Sequence, residues 1–523
     1  MQGFDPIMLK ILWERLISIS AEMAATLVRT SFSTIVREAN DYACVLLDAQ
    51  GNSLVQAEHS IPSFIGTMPI TAKHFLKKYP PETLEPGDSL ITNDPWLATG
   101  HLPDMSIATP IFYRGKLVAL AGTVAHVPDI GGVFGRGLTR EIYEEGLRIP
   151  ITKLFQRGEP NETLFDLIRE NVRVPEQTIG DILGIVAANK RGAERLVALM
   201  EEEGLEDLTP LVREIHLRSE EAMRSAIRAM PDGEYHGEIT VDGYDSPIHV
   251  QAKVTIQGDE IEIDYTGSSP QVPWAINSVM NYTFAYTAYI IKCVTVPTLP
   301  NNEGCFRPIR VIAPPGSVMN AVPPAPTIAR QVLGHIAHGA LFSALAQAVP
   351  DRVMAHSGSA PLTTHSFAGI GRNGRTFVQI VTANGGTGAC PQKDGESASF
   401  PSNLSNTPVE MMEADAPLLV GEKTLIPESA GAGRFRGGWG QRMSFQNLSE
   451  GPITHGLLLN RLNYPAQGLL GGKPGAPNRI WLNDAPHPQP RGRWVMQPGD
   501  RVTLEYPGGG GLHDPFTRDP QLV

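Results

Sequence analysis

The residues best able to do chemistry lie in two similar units, each reading His-x-Pro-Asp: His101 to Asp104 and His126 to Asp129. Proline fixes its own φ and disfavours helix in the residue before it, so both units are predicted to be extended or turned. The apolar segment between them has a central Arg-Gly-Lys turn, which predicts one β-hairpin with both units at its open end. With the nearby Asp94, two imidazoles and three carboxylates can meet there. Histidine nitrogen and carboxylate oxygen without thiolate are typical ligands of a divalent metal with an open coordination position.

A second interpretation of the same residues stays open at this point. Asp-Pro and Pro-Asp are ordinary turn formers, and a histidine beside them is often only hydrogen-bonded within a loop. No helical register such as His-Glu-x-x-His forces the side chains together. Asp41, where a predicted strand begins, is by itself more typical of a turn or cap residue than of a metal ligand.

Beyond the second unit, residues 131–137 are rich in glycine. Such backbone freedom suits a loop that covers a site or lets a ligand approach closely, so we expect a lid there. Residues 141–150 follow and add acidic side chains, among them Glu145. A solvated loop face is the alternative explanation for these.

The elements predicted to position the two units form the N-terminal part of the chain. A helix over 5–31, with Asp5 as its N-cap, packs on the sheet that follows. A hairpin over 38–57, a helix over 65–79 and a strand over 88–92 come next. A helical stretch around Gly180 and Asp181 then leads into an amphipathic helix over 193–203, and a further helix over 209–230 has Thr209 as its N-cap.

The remaining chain changes character. Residues 235–265 alternate apolar and polar side chains, which predicts an antiparallel meander. Helices return over 281–294 and 329–349, and the second carries His335 and His338 on one face. Packing explains this histidine pair better than metal binding, because no nearby carboxylate supports a site. From about residue 352 onward, glycine and proline interrupt short strands.

The predicted fold class is therefore mixed α+β and multi-domain, with antiparallel β-rich segments and packed helices. We expect an N-terminal metal-site domain (1–230), a small antiparallel β segment (231–270) and a C-terminal α/β domain rich in Gly/Pro loops (271–523).

Composition excludes several classes of protein. The chain has 523 residues and a formal charge of −12, which disfavours nucleic acid and anionic membranes as partners. Its four cysteines are scattered, no signal peptide is recognisable, and no uncharged apolar run is long enough to span a membrane, so a cytoplasmic protein is expected. Phosphate-loop and Gly-x-Ser-x-Gly motifs are also missing from the sequence, so no nucleotide site or serine nucleophile is indicated.

Many ordered motifs together resemble the hydantoinase B family, which is the second subunit or half of ATP-dependent oxoprolinases, N-methylhydantoinases, caprolactamases, and acetone and acetophenone carboxylases. The motifs run through nearly the whole chain: Ser60-Ile-Pro, Gly66-Thr-Met-Pro69, Asn93-Asp-Pro, Gly100-His-Leu-Pro-Asp104, Glu145-Gly-Leu-Arg-Ile-Pro150, Asn171-Val-Arg-Val-Pro175, Asp264-Tyr-Thr-Gly-Ser-Ser-Pro-Gln271, Pro300-Asn-Asn-Glu-Gly, Gly385-Gly-Thr-Gly-Ala389, Asn406-Thr-Pro-Val-Glu410 and Pro507-Gly-Gly-Gly-Gly511.

The resemblance implies one divalent metal, Zn²⁺ or Mn²⁺, held by Asp41, His101, Asp104 and His126. It makes Asp94 and Asp129 candidates for orienting the imidazole rings. Proton transfer near a metal-bound water is expected from Asp129 or Glu145.

The resemblance also implies a partner. In the family, a separate hydantoinase A-type ATPase subunit is thought to phosphorylate the substrate, in a hetero-oligomer such as α2β2. This chain would then hydrolyse the activated cyclic amide, because the metal lowers the pKa of bound water toward neutrality.

Two other functions compete with the hydrolase. In a ketone carboxylase of the acetone carboxylase type, the same ligands would hold an enolate beside carbon dioxide. Such carboxylases have a third, small subunit and a longer chain, and since this sequence stops at Val523 the hydrolase is favoured. A non-catalytic scaffold with a structural metal is disfavoured, because structural zinc sites are usually closed and rich in cysteine.

Overall fold

The structure is a computed structural model that describes residues 5–135, 138–402, 404 and 406–522. The predicted lid over 131–137 therefore lies partly outside the described residues, at positions 136 and 137. Residues 131–135 form bends.

The N-terminal part is a seven-stranded sheet with helices packed on it. Its strands run in the order β2-β1-β5-β4-β3-β6-β7. The elements are α1 (Pro6–Thr30), α2 (Thr34–Arg37), β1 (Tyr42–Asp48), β2 (Ser53–Gln56), α3 (Thr67–Lys78), β3 (Ser89–Thr92), β4 (Asp104–Tyr113), β5 (Lys116–His126), β6 (Thr152–Gln156) and β7 (Glu159–Pro160). The two hairpins, the strand before the first His-x-Pro-Asp unit and both helices lie where the sequence predicted them.

Helix α1 begins as its sequence dictates. The Asp5 carboxylate accepts a hydrogen bond from the backbone N–H of Met8 at 3.2 Å, and Pro6 occupies the first turn. Leucines 9, 12, 16 and 27 repeat at helical spacing and are buried in the core shared with the sheet.

Three further helices follow along the chain before the next sheet begins: α4 (Glu162–Asn171), α5 (Pro175–Glu202) and α6 (Thr209–Arg228). Helix α5 is one continuous element that includes Gly180 and Asp181 and packs against α1. The prediction that Thr209 is an N-cap was wrong. Leu208 is the N-cap residue without a side-chain cap, and the Asp207 carboxylate accepts the backbone N–H of Thr209 at 2.9 Å.

A four-stranded sheet follows, in the order β11-β10-β9-β8. Its strands and associated helices are β8 (Gly233–Val241), β9 (Ile248–Gln257), β10 (Glu260–Asp264), α7 (Met280–Thr295), α8 (Glu303–Phe306), β11 (Ile309–Ile312) and α9 (Gln331–Leu345). Strand β9 alternates buried and half-buried residues as predicted, and its buried side faces the core shared with α9. The predicted β segment 231–270 thus shares its hydrophobic core with helices α7 and α9, which follow it in the chain. The domain limits stay predictions.

The C-terminal part contains two more sheets, in the orders β13-β12-β16-β19 and β14-β15-β20-β17-β18. Their elements are β12 (Thr363–Ile370), β13 (Thr376–Ala383), α10 (Val409–Asp415), β14 (Leu418–Leu425), β15 (Gln441–Asn447), β16 (Ile453–Leu458), β17 (Arg479–Leu482), β18 (Ala485–Pro486), β19 (Arg491–Met496) and β20 (Arg501–Glu505). The mixed α+β prediction is confirmed. Among the described residues, no helix is long and apolar enough to cross a membrane.

Candidate metal centre

The centre is built where three strand ends meet. Strand β5 pairs antiparallel with both β1 and β4, so the beginnings of β1 and β4 both lie beside the end of β5. Asp104 and His126 are direct partners in the β4/β5 register. The backbone N–H of His126 donates to the carbonyl oxygen of Asp41 at 3.1 Å, which brings the residue before β1 to the same corner.

The side chains converge around one carboxylate oxygen. Asp104 Oδ1 lies 2.8 Å from His101 Nε2 and 3.0 Å from His126 Nδ1. One ligand atom from each of these three buried residues lies within 4.8 Å of the others, which is a spacing that a single ion can bridge. Asp41 Oδ2 is 3.9 Å from His126 Nδ1, and its side chain is 18% exposed, so it approaches the group from the more open side.

A hydrogen bond from the backbone side holds the His101 ring in position. His101 Nδ1 contacts the carbonyl oxygen of Ile328 at 3.0 Å, which holds the proton on Nδ1 and leaves a lone pair on Nε2. Nε2 approaches Asp104 without hydrogen-bond geometry and, among the described residues, has no hydrogen-bond partner. A buried lone pair without a donor suits a metal ligand.

The second oxygen of Asp104 is also held. Oδ2 accepts from the Thr99 hydroxyl at 2.6 Å and from the Arg330 guanidinium. Arg330 in turn donates from Nε to the Thr99 carbonyl at 2.5 Å and lies over the ring of Tyr282, with Cζ 3.9 Å from the ring centroid. Asp104 can therefore present one oxygen to an ion while the other stays fixed.

Burial and neighbouring charge set the protonation states. Burial, with the Arg330 charge, lowers the pKa of His101 to about 3, so its imidazole is neutral and able to bind metal. Burial alone would raise the pKa of Asp104, but the adjacent Arg330 cation outweighs it and holds this pKa well below its usual range. At neutral pH His101 is thus a neutral imidazole and Asp104 is a carboxylate.

Gly100 allows Arg330 to approach this closely. Its φ is +98°, a left-handed conformation that favours glycine, and a Cβ there would lie 2.6 Å from Arg330 Cδ. The glycine in the Gly-His-Leu-Pro-Asp motif therefore lets the arginine pack against the loop that carries His101.

Comparison with known proteins agrees with the sequence motifs. The sequence profile of the Hydantoinase B/oxoprolinase family matches residues 5–515. The chain belongs to this family. It is 31% identical to the B component of a "Putative D-/L-hydantoinase" of Pseudomonas sp. (strain NS671), over 100% of this chain and 92% of that protein.

Two solved structures resemble this hydantoinase B family member. The ATP-dependent caprolactamase from Pseudomonas jessenii aligns with a TM-score of 0.92 at 29% identity, over 100% of this chain and 93% of that one. An acetone carboxylase structure aligns with a TM-score of 0.91 over 99% of this chain and 77% of that one. Its sequence identity is 19%, so the second likeness shows the fold alone.

Asp94 and Asp129, predicted to orient the imidazoles, have other partners in this family member. Asp94 accepts from Arg148 Nε at 2.8 Å and from the backbone N–H of Trp96 at 3.0 Å. Asp129 is paired with Arg173, whose Nη1 lies 2.7 Å from Oδ1. Both carboxylates are close to the His/Asp group in sequence, but their ion pairs connect the neighbouring loops to Arg148 and Arg173.

Glu145 is deeply buried next to the loop that supports His101. Its Oε1 accepts from the Thr139 hydroxyl and from the backbone N–H groups of Thr327 and Ile328, at 2.8–2.9 Å. Burial raises the pKa of Glu145 to about 8, against the lowering effect of these hydrogen bonds. Glu145 therefore orders the residue whose carbonyl oxygen contacts His101, and proton transfer by Glu145 or Asp129 stays a prediction.

The centre opens on a small cavity of about 40 Å³. Besides the candidate ligands, the cavity is lined by Tyr282, Gln331, His335 and Phe400 and by residues of β12 and β13.

Sequence reasoning missed Arg330, Thr99 and Ile328. Arg330 stands immediately before the apolar helix α9, and a cation in such surroundings needs a buried anion. That was the available signal, although nothing in one sequence identifies Asp104 as the anion.

Proposed function

We propose that this chain is the metal-holding subunit of an ATP-dependent hydrolase of cyclic amides. The observation that carries the proposal is the buried group of His101, Asp104 and His126, with Asp41 at its open side, in a member of the hydantoinase B/oxoprolinase family. The match to an ATP-dependent caprolactamase over the full chain supports the reaction class.

A divalent ion suits this donor set. His101 Nε2, His126 Nδ1 and Asp104 Oδ1 would hold it, and Asp41 is near enough to contribute a second carboxylate after a small side-chain movement. Such an ion, Zn²⁺ or Mn²⁺, supplies Lewis-acid chemistry and lowers the pKa of water. The contacts that Arg330, Thr99 and Ile328 make with Asp104 and His101 keep the ligands oriented.

The walls of the cavity serve the same reaction by excluding bulk water. Apolar side chains of Ile35, Ile380 and Phe400 line it, so an activated substrate is protected from water other than that admitted to the site. The small volume also limits the number of waters that can compete for the reacting carbon.

The ATP would be used by a partner. One relative is named as the B component of a hydantoinase and another as the beta component of a caprolactamase, which supports a second subunit for this chain as well. We propose that a hydantoinase A-type ATPase phosphorylates the cyclic amide and that the activated ring is opened at the centre described above, within a hetero-oligomer.

The first experiment combines elemental analysis with a coupled assay. The purified chain and its ATPase partner are tested for ATP use and ring opening with hydantoin, 5-oxoproline, larger lactams, and acetone with bicarbonate. We expect bound zinc or manganese and ring opening coupled to ATP. Consumption of acetone that depends on bicarbonate would instead establish a carboxylase.

The ligands are then removed one at a time. His101→Ala and His126→Ala are each expected to abolish turnover and lower metal content while the chain stays folded and assembled. His59→Ala, at an exposed position outside the centre, is the matched control and should retain both. Full activity in either ligand variant would contradict the proposed site.

A further inference from the structure

One wall of the cavity that adjoins the candidate metal ligands belongs to helix α9 and carries polar side chains. Two atoms on that wall, Gln331 Oε1 and His335 Nδ1, have no hydrogen-bond partner among the described residues. Both residues are more than nine-tenths buried. Leaving a buried donor or acceptor unpaired is costly, so these groups need water or a ligand.

Both groups are rigidly placed on helix α9. Gln331 and His335 are four residues apart and therefore share one face of the helix. His335 Nε2 contacts the hydroxyl of Tyr286 at 2.6 Å, and Tyr286 also contacts the hydroxyl of Ser63 at 2.8 Å. The Phe400 ring packs at right angles to the His335 ring, with centroids 4.7 Å apart. The imidazole is thus fixed with Nδ1 left for another group.

The charges of the cavity lie on the metal side. Among the described residues that line it, the formally charged ones are Asp41, Asp104 and Arg330. Arg330 is already bound to Asp104 and to the carbonyl of Thr99. A ligand that projects a carboxylate toward the α9 wall would find neutral hydrogen-bonding groups there instead of a cation.

We propose that the wall formed by Gln331 and His335 binds the second polar group of a small neutral cyclic ureide or imide, while the metal centre faces its reacting carbonyl. Such rings carry a further carbonyl and N–H that can pair with the amide oxygen of Gln331 and with Nδ1 of His335. A plain lactam presents methylene groups to the same atoms and leaves them unpaired.

This inference rests on the proposed function for the role of the site, but its test needs no turnover. Binding of hydantoin, 2-pyrrolidinone and 5-oxoproline to the zinc-loaded chain is measured by calorimetry or ligand-observed NMR. These rings share one size and differ in polar groups and charge. Loss of one buried hydrogen bond typically corresponds to about tenfold in affinity, so hydantoin should bind at least about tenfold tighter than either competitor.

Variants then locate the discrimination on α9. Gln331→Met and His335→Leu should each reduce the preference for hydantoin about tenfold, whereas His335→Asn, which keeps a polar atom near the position of Nδ1, should retain more of it. Ser343→Ala is the control, because Ser343 lies further along the same helix and lines another cavity, with His236 and Lys253. Its preference should stay unchanged.

The wild-type comparison alone can overturn the inference. Equal or weaker binding of hydantoin than of 2-pyrrolidinone, tighter binding of 5-oxoproline, or no measurable binding of any of the three rings would do so. If hydantoin binds with the expected preference but no ring is opened with ATP and the partner, the proposed function fails while the wall's specificity stands.

Discussion

Arg330 is the residue whose replacement tests most directly how the metal centre is held together. Its side chain is 4% exposed and that of Asp104 is 1% exposed, and the two form a hydrogen-bonded ion pair. Arg330→Met keeps most of the side-chain volume but removes the cation and all of its donors. Asp104 would then keep only the neutral Thr99 hydroxyl on Oδ2.

The expected loss of folding free energy in Arg330→Met follows from the burial of both charges. Removing one partner of a buried ion pair costs about 3–5 kcal/mol, because the remaining charge loses its compensation. The arginine–aromatic contact with Tyr282 is lost with it, and such a contact contributes up to about 2 kcal/mol when desolvated. Because these effects are not additive, we expect about 3–5 kcal/mol of destabilisation in metal-free protein. A bound divalent ion would supply positive charge next to Asp104, so zinc should restore part of this loss.

The assay is urea denaturation, followed by tryptophan fluorescence, with a chelator and with excess zinc. Arg169→Met is the matched control, since its pair with Asp166 is largely exposed and its loss should change stability by at most about 1 kcal/mol. Unchanged stability of Arg330→Met in chelator would refute the role of Arg330 as the counter-charge of Asp104. Equal destabilisation with and without zinc would refute the idea that the ion shares that carboxylate.

Three further predictions concern the surroundings of the centre. Burial raises the pKa of Glu145 from 4.5 to about 8, so the folded state holds its proton more tightly than the unfolded state. The stability that this group contributes is therefore lost as pH rises between these two values, by up to about 1.4 kcal/mol per pH unit. The free energy of unfolding of Glu145→Gln, measured between pH 5 and pH 8, should lack this slope, and an unchanged slope would assign it to other groups. Gly100→Ala should lower the melting temperature and the zinc affinity together, because the added methyl clashes with Arg330 and φ is +98°; wild-type values in calorimetric titration would show that the loop relaxes freely. Asp41→Asn should weaken zinc binding by about 10–100-fold without unfolding, as removal of a peripheral carboxylate typically does, and a wild-type dissociation constant would remove Asp41 from the ligand set.

The local half of the centre could be predicted from the sequence because it depends on short-range pairing. The apolar segment with its central Arg-Gly-Lys turn predicts the β4/β5 hairpin, and the hairpin places Asp104 opposite His126. His101 follows from its three-residue distance to Asp104. Asp41 was named through the family resemblance, since spacing alone made it a turn residue.

The other half could not be predicted because its contacts join distant parts of the chain. Arg330 and Asp104 are separated by 226 positions, and His101 and Ile328 by 227. Local patterns carry no information on such pairings. Asp94 is close to the centre in sequence, yet its carboxylate pairs with Arg148, and its role in orienting the imidazoles stays a prediction. The histidine pair on α9 was correctly expected to be packed, but its unpaired nitrogens became visible only with the cavity.

The centre therefore depends on the docking of two parts of the fold. Three strand ends of the N-terminal sheet supply the ligands, whereas residues 327–331 supply the groups that fix and face them. Glu145 holds the backbone of Thr327 and Ile328 against the sheet, so the buried carboxyl and the candidate metal ligands stabilise the same contact. Metal binding and the docking of this segment should then be coupled, because each orders the residues that the other requires.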